Sequence, residues 1–556
     1  MGLLPKYGSK DIVVCPGTRN APLVQAASAS PLVLHHVIDE RVAAFVAVGI
    51  AAEDDRPVAA VCTSGSAVLD MAPACAEAYY RQIPLVVVSA DRPRHWIGQG
   101  DGQTMRQAGA LDAVVRGSWD IPVPHSEEET RAAVRAFNDA LRTALAEPRG
   151  PVHINIQIDA PIGSTIETAR RENPPFIEVL DDRDNGVSDA FAEEIARRLM
   201  AYQRILFLPG VMPPDLAVSQ ALAELSKHSR IVVLPEILSN VHGAGENVDV
   251  VLNALTEKER VGLLPDVVVT VGSGITSALA KDWLRKGTRL GITQHWHIGT
   301  EEHAVDTFLG QTVAIPIAPR RILPALASHC RNYPGETIPV TLWQMFAKQA
   351  KQANEKFFAA LPWCGLSAVR HVIRSLPKDW RLHLSNGTTV RYAQTAEYGH
   401  VYRVDANRGV NGIDGSTATA IGAAMVSPRP VLLITGDMSA QYDIGALMTE
   451  DVPVRFKMVV INNSGGGIFR AIANTRHLPV MPQYLAGGVT LPLKEICQGL
   501  GFGYYRADCA EALRNAFDAM VHNVGSPCVL EAVVHADVDA EIFRQLYTLY
   551  KTRQQP

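Results

Sequence analysis

Cysteine is scarce in this chain: eight residues, at 15, 62, 75, 330, 364, 497, 509 and 528, with no CxxC pair among them. That excludes a disulfide scaffold and a cysteine zinc site, and it predicts a reducing cytosol. Long apolar runs are missing too. The longest, Val42 to Ala52, falls short of the roughly 18 residues that a membrane span needs. There is no excess of positive charge either: 52 Lys and Arg stand against 57 Asp and Glu, for a net charge of −5, and the basic residues are scattered. Nucleic-acid binding is therefore not expected, and a large anion must be met by local charge. The N-terminus shows no signal-peptide pattern. The expectation is a cytoplasmic protein.

What the chain does have is a globular composition, 47% apolar and 20% charged, over 556 residues. That length exceeds one core and predicts about three domains. From Asp11, apolar runs IVVC (12–15), LVLHHVI (32–38), VAAVC (58–62), PLVVVS (84–89) and PVHINIQI (151–158) alternate with helical stretches, among them Ala67–Tyr80 and Glu127–Leu145. Strands apolar throughout predict parallel sheets covered on both faces. The fold class expected is α/β, with three doubly wound domains. The first spans 1–165, and a polar, proline-bearing linker follows at 166–190. The second, 191–335, carries RILFLPG (204–210), RIVVLPE (230–236), DVVVTVG (266–272) and RLGITQ (289–294). The third, 340–556, includes WRLHLSNGTTVR (380–391), the strand PCVLEAVV (527–534) and a helix from Asp539 to Lys551.

The stretch 431–469, VLLITGDMSAQYDIGALMTEDVPVRFKMVVINNSGGGIF, organises the chain. It reads as a strand ending in Gly436-Asp437, a crossover with helical character at Ile444–Glu450, and a parallel strand ending in Asn462-Asn463-Ser464 and three glycines. A right-handed crossover brings both strand ends to the carboxyl edge of the sheet, so Asp437 and Asn463 face one point. A carboxylate and an amide oxygen suit Mg²⁺, and Gly465 to Gly467 let backbone N–H groups approach an anion. Either piece alone is explained by a turn or a loop. The pair describes a metal-held diphosphate.

In the first third, CPGTRN (15–20), DER (39–41), TSGSA (63–67) and ADRP (90–93) follow successive strands and crowd one edge. Arg19 and Arg92 are candidates for gripping a carboxylate. Glu40 opens an otherwise apolar helix; a first-turn glutamate favoured by the helix dipole and a buried carboxyl acting on a cofactor nitrogen are both open readings. Gly272-Ser273-Gly274 after a strand invites a dinucleotide reading. Position 277 is serine rather than glycine or alanine, however, and no acidic partner follows, so nicotinamide or flavin binding is not expected.

IDER, CTSGSAV and ADRP, followed at the far end by GDMSAQYD and INNSGGGIF, resemble the thiamine-diphosphate enzymes. CPGTRNAPL, DGQTMRQ, NRGVNGIDGSTATAIG and NNSGGGIF narrow the resemblance to the menaquinone-pathway synthases that make 2-succinyl-5-enolpyruvyl-6-hydroxy-3-cyclohexene-1-carboxylate. It runs from about Asp11 to the C-terminus. It implies thiamine diphosphate with Mg²⁺ or Mn²⁺, held by Gly436, Asp437, Ser439, Asn463, Gly465, Gly466, Ile468 and Phe469, with Asp437, Asn463 and Gly465 as metal ligands. It implies that Glu40 hydrogen-bonds the aminopyrimidine ring and that Ile413 props the cofactor into a bent conformation. It implies 2-oxoglutarate and isochorismate as substrates, with Arg19, Arg92, Arg391 and Arg408 binding them and Gln103 serving isochorismate, as a catalytic residue with Glu40 and Ile413. It further implies a homodimer or a dimer of dimers with active sites at the subunit interface.

Three features depart from the family pattern. An arginine the family can place after the Gly272 turn is Leu279 here, with Lys281 or Arg285 as candidate substitutes. Gly102 stands where the family can carry asparagine. Only MGLLPKYGSK precedes the CPG strand, where the family has a helix. The small residues Gly415, Ala418, Ala420, Gly422 and Ala423 fit close helix packing or close approach of a flat ring equally well. The competing readings are a thiamine-diphosphate enzyme acting on a monocarboxylic 2-oxo acid and a silent scaffold. The second sits badly with the presence of Glu40, Asp437 and Asn463 together.

Overall fold

The computed structural model describes residues 1–159, 174–178, 185–335, 338–488 and 491–550, without the side chains of 338–340. Much of the predicted linker, and the tail after Tyr550, lies outside the described residues.

Three parallel sheets follow one another along the chain. The first contains β1 (Asp11–Val14), β2 (Val33–His36), β3 (Val58–Cys62), β4 (Leu85–Asp91), β5 (Ser118–Ile121) and β6 (Val152–Gln157). The second contains β7 (Ile205–Pro209), β8 (Ile231–Val233), β9 (Val267–Val271), β10 (Gln294–Gly299) and β11 (Gln311–Pro316). The third contains β12 (Arg381–Leu384), β13 (Arg403–Ala406), β14 (Val431–Gly436), β15 (Phe456–Asn462), β16 (Gly503–Ala507) and β17 (Cys528–Val533). The orders are β2-β1-β3-β4-β6-β5, β11-β10-β9-β7-β8 and β13-β12-β14-β15-β17-β16. The first and third sheets therefore share one topology, each with a switch point, between β1 and β3 and between β12 and β14. Central strands such as VAAVC and VVVTV are buried along their whole length, as a sheet covered on both faces requires.

Two expectations are corrected. RLGITQ is not the fourth strand of the middle sheet: the helix Ala278–Arg289 runs into it, Gly291 turns with φ +68, and the strand is QHWHIG, β10. The helix expected over Ala67–Tyr80 breaks at Met71, where Pro73 prevents an unbroken ladder, into Ala67–Asp70 and Ala72–Arg81. Leu3 and Leu4, in the short leading segment, are buried in the core of the first sheet.

The first and third sheets are joined by one apolar cluster, built around the helices Glu40–Asp54 and Ser416–Val426. These two helices cross at backbone distance. A Cβ on Gly49 would lie 2.0 Å from the Thr419 carbonyl oxygen, and one on Gly422 would lie 2.1 Å from that of Val46. The small residues of the GSTATAIGAA run thus serve helix packing. At the rim, the Glu53 carboxylate accepts from Arg381 Nε at 2.7 Å, a further tie between the two units.

Candidate active site

The carboxyl edge of the third sheet is shaped by β14 and β15, which pair in register from Val431↔Phe456 to Gly436↔Ile461. The next residues converge. Asp437 Oδ2 accepts from Gly465 N–H and its Oδ1 from Met438 N–H, both at 2.8 Å. Burial raises the Asp437 carboxyl to about 6, against the pull of the N–H groups of Gly465, Met438, Asn463 and Ser464. Gly465 has φ +133, and a Cβ there would meet the Gly487 carbonyl oxygen at 2.1 Å, so only glycine fits. The glycine N–H groups are directed at protein acceptors: Gly466 donates to Ala486 O at 2.6 Å and Gly467 to Gly465 O at 2.9 Å. The Phe469 ring lies against Gly466, and Ile468 packs on the neighbouring core.

Two further residues tie this edge together. Ser439 Oγ donates to the Ile413 carbonyl at 2.6 Å, linking the segment after β14 to the glycine turn before Ser416. Asp443 caps the helix Ser416–Val426, accepting from Thr417 and Ala418 N–H at 2.8 and 2.9 Å. Among the described residues, no three His, Cys, Asp or Glu side chains gather as a metal site. Oxygen donors here would be one carboxylate, one amide and backbone carbonyls.

Glu40 is the first residue of its helix, and the helix is capped by its neighbour: Asp39 Oδ1 accepts from Val42 N–H at 3.1 Å. Capping therefore does not account for Glu40. Its half-buried carboxyl is raised by desolvation, which outweighs the pull of its own backbone N–H, and Asp70 and then Asp39 add smaller contributions in the same direction. The next residue, Arg41, lies over the Tyr442 ring and donates to the Tyr442 carbonyl at 3.2 Å. The helix start thus lies against the segment that follows Asp437.

The predicted arginines form two groups. Arg19, 8% exposed, donates to Ile158 O at 2.9 Å, and its pKa is lowered by burial and then by the nearby Arg92. Arg92 pairs with Asp101 at 2.8 Å, while its buried Nε has no hydrogen-bond partner among the described residues. Gln103 sits beside this group, exposed, with Nε2 donating to Ser64 O at 3.2 Å and its own carbonyl accepting from Ser64 Oγ at 2.9 Å. Arg391, in the helix Thr388–Ala393, donates to Gly387 O. Arg408 donates to Asn386 Oδ1 at 2.7 Å; burial lowers its pKa, and Arg391 adds to the lowering. Lys281 belongs with them, since its pKa is lowered by burial and then by Arg408, Arg285 and Arg391. Leu279 instead packs on the apolar core of the middle unit.

Residues invisible to sequence reading hold these groups. Glu77, from the first unit and 1% exposed, accepts from Gly409 and Val410 N–H at 2.9 and 3.0 Å, fixing the turn after Arg408. Asp539 accepts from Asn463 Nδ2 at 3.0 Å. Both partners are remote in sequence, so no local pattern announces them.

The Gly272 turn carries no room for a dinucleotide phosphate at its helix start. The fully buried Glu236 carboxylate occupies that position, accepting from Thr276 and Ser277 N–H. Burial raises Glu236 to about 7 and the nearby Asp249 to about 6. Glu236 titrates near 4.5 when unperturbed, so the folded chain holds this proton more tightly than the unfolded chain. The stability it contributes is full below pH 4.5 and is lost as pH rises towards 7. Glu236→Gln is expected to flatten that loss by an amount on the order of 3 kcal/mol at most. Thermal melts of both proteins across the window check it.

A cavity of about 1000 Å³ lies elsewhere, between the middle and third units. His242, Lys351, Arg370 and Tyr398 help to line it, and none of the predicted site residues does.

Two family models match the first and third units of this chain. Residues 1–110 match the thiamine pyrophosphate enzyme N-terminal TPP binding domain, and residues 386–532 match the corresponding C-terminal TPP binding domain. A 2-succinyl-5-enolpyruvyl-6-hydroxy-3-cyclohexene-1-carboxylate synthase of Porphyromonas gingivalis is 33% identical over 100% of this chain and 97% of its own length. Its namesake in Flavobacterium psychrophilum is 36% identical over 90% of this chain and 89% of its own. The one in Bacteroides thetaiotaomicron is 31% identical over 100% and 98%.

Proposed function

The chain belongs to the 2-succinyl-5-enolpyruvyl-6-hydroxy-3-cyclohexene-1-carboxylate synthase family, and we propose that it performs that family's thiamine-diphosphate-dependent reaction in menaquinone biosynthesis. In it 2-oxoglutarate is decarboxylated and the succinyl carbanion equivalent is added to isochorismate, with release of CO₂. The observation that carries the reading is the convergence of Asp437, Asn463 and Gly465 at one sheet edge inside the matched C-terminal domain.

Thiamine diphosphate, when bound, supplies the acidic carbon and the electron sink. The chain's residues supply position and charge. Asp437, the Asn463 amide oxygen and the Gly465 carbonyl would hold Mg²⁺ or Mn²⁺. These are the hard oxygen donors that such a cation takes, and the cation would neutralise diphosphate charge there. The donor set fits, because Asn463 turns its amide nitrogen to Asp539 and leaves Oδ1 for the cation. Gly436, Ser439, Gly466, Ile468 and Phe469 would line the diphosphate, and Ile413 would support the bent cofactor.

Glu40 would hold a proton against the aminopyrimidine ring nitrogen, a task that its desolvated, raised carboxyl suits. Both substrates carry two carboxylates. Two groups of cations, Arg19 with Arg92 and Arg391 with Arg408 and Lys281, suit such dianions better than a monocarboxylic 2-oxo acid. Gln103, fixed against the Ser64 turn, would orient isochorismate. A homodimer or dimer of dimers with active sites at the subunit interface is proposed with this reading. Exposed Ile38 and Met448 fit such an interface. The eight free cysteines, seven of them buried, suit a reducing cytoplasm.

The test is consumption of isochorismate by the purified protein with 2-oxoglutarate, with thiamine diphosphate and Mg²⁺ each present or omitted. Consumption that requires all of them is the expected result. Untouched isochorismate alongside decarboxylation of pyruvate would place the chain with another carboligase activity.

A further inference from the structure

Asp539 lies in the helix Ala536–Tyr547, 76 residues beyond Asn463, and is 1% exposed. Among the described residues its carboxylate accepts from three groups, divided between its two oxygens. Oδ1 accepts from Gly365 N–H at 2.8 Å and from Tyr392 Oη at 3.0 Å. Oδ2 accepts from Asn463 Nδ2 at 3.0 Å.

The division matters because an asparagine amide has two ends of similar size, one donating and one accepting. A carboxylate only accepts, so whichever end of Asn463 faces Asp539 must be the NH₂ end. The oxygen must then face the other way. Asn463 is 5% exposed, and a Cβ on Gly467 would lie 2.2 Å from its Nδ2, so the side chain is wedged as well as hydrogen-bonded. Its backbone N–H is among the groups that act on the Asp437 carboxylate, which places it beside that ligand. Among the described residues, no hydrogen bond is made to Asn463 Oδ1.

We propose that Asp539 is a positioning residue that locks the Asn463 amide with its oxygen toward the cation site, so that the C-terminal helix sets the affinity for the divalent metal. The inference rests on the metal assignment of the preceding section. Outer-sphere partners of this kind change metal affinity by about 10- to 100-fold when removed.

Asp539→Asn keeps Oδ1 for Gly365 and Tyr392 and puts an NH₂ group where Oδ2 was. Two donors then face each other, and Asn463 relieves the clash by flipping its own NH₂ toward the cation. Adding Asn463→Asp reverses the polarity of the pair: the new amide donates to one carboxylate oxygen, and the other faces the metal. Mn²⁺ binding, followed by electron paramagnetic resonance in the presence of thiamine diphosphate, reads this without turnover. The expected result is a loss of Mn²⁺ affinity of about 10- to 100-fold in D539N and recovery of most of it in N463D/D539N.

Tyr392→Phe, which removes a different bond to Asp539, is expected to bind Mn²⁺ as the unaltered protein does. Unchanged affinity in D539N would overturn the inference, and so would a double variant no better than D539N despite native circular dichroism. Failure of the unaltered protein to bind Mn²⁺ with thiamine diphosphate would overturn the metal assignment itself, and the two failures are distinct.

Discussion

Glu40→Gln is expected to slow decarboxylation of 2-oxoglutarate by about 10²- to 10⁴-fold while thiamine diphosphate still binds. Glutamine matches glutamate in shape and begins the same helix. The helix does not depend on Glu40 for its start, because Asp39 caps it through Val42 N–H. What the substitution removes is a carboxyl able to hold and return a proton. That carboxyl is raised by desolvation, which brings it closer to the range in which proton sharing with a ring nitrogen is efficient. Single-turnover CO₂ release measures the loss, and calorimetric titration with thiamine diphosphate measures binding. Near-native decarboxylation in the variant would remove Glu40 from the chemistry. Lost binding together with lost activity would make it a structural residue instead.

Apart from β10, every strand missed in the sequence lies at a sheet edge, whereas the edge strands β2 and β8 were found through their apolar runs LVLHHVI and RIVVLPE. β3, β4, β9, β14 and β15 lie inside their sheets, covered on both faces, and appear as continuous apolar runs. β5, β11, β13 and β16 all lie at sheet edges, and SWDI, QTVAIP, RVDA and GYYRA mix polar and apolar residues without a period. β10 was displaced for another reason. It buries His295 and His297, and Thr270 Oγ1 lies 2.8 Å from a ring nitrogen of each, so polar residues occupy an interior strand. Burial lowers His295 to about 4 and keeps it neutral.

The candidate site divides in a similar way. Asp437 and Asn463 were legible because each ends an apolar strand, and strand ends of one crossover share an edge. Asp539 and Glu77 were not, since each acts on residues brought to it only by tertiary packing. The small residues near Gly415 remained ambiguous in sequence. Their use became plain only when Phe45 and Gly49 of another unit were found against them.

Asp437→Ala is expected to abolish the stabilisation that thiamine diphosphate and Mg²⁺ give together, with little change in the cofactor-free protein. Two opposing effects meet in the free protein. Removing Asp437 leaves the N–H groups of Gly465 and Met438 without their acceptor, a cost of about 1–3 kcal/mol if they stay dry. It also removes a carboxyl whose raised pKa reports an unfavourable burial. These offset one another. No such compensation exists once the cation is required, because Asp437 is the only carboxylate among its proposed ligands. Metal-dependent cofactor affinity is expected to fall by more than about 100-fold, beyond the range for outer-sphere partners. In the unaltered protein, cofactor at about a hundred times its Kd adds about 2.7 kcal/mol of stability. Thermal melts with and without both additives separate the two effects: the unaltered protein shifts upward, and Asp437→Ala does not. A full upward shift in the variant would mean that the diphosphate is held elsewhere.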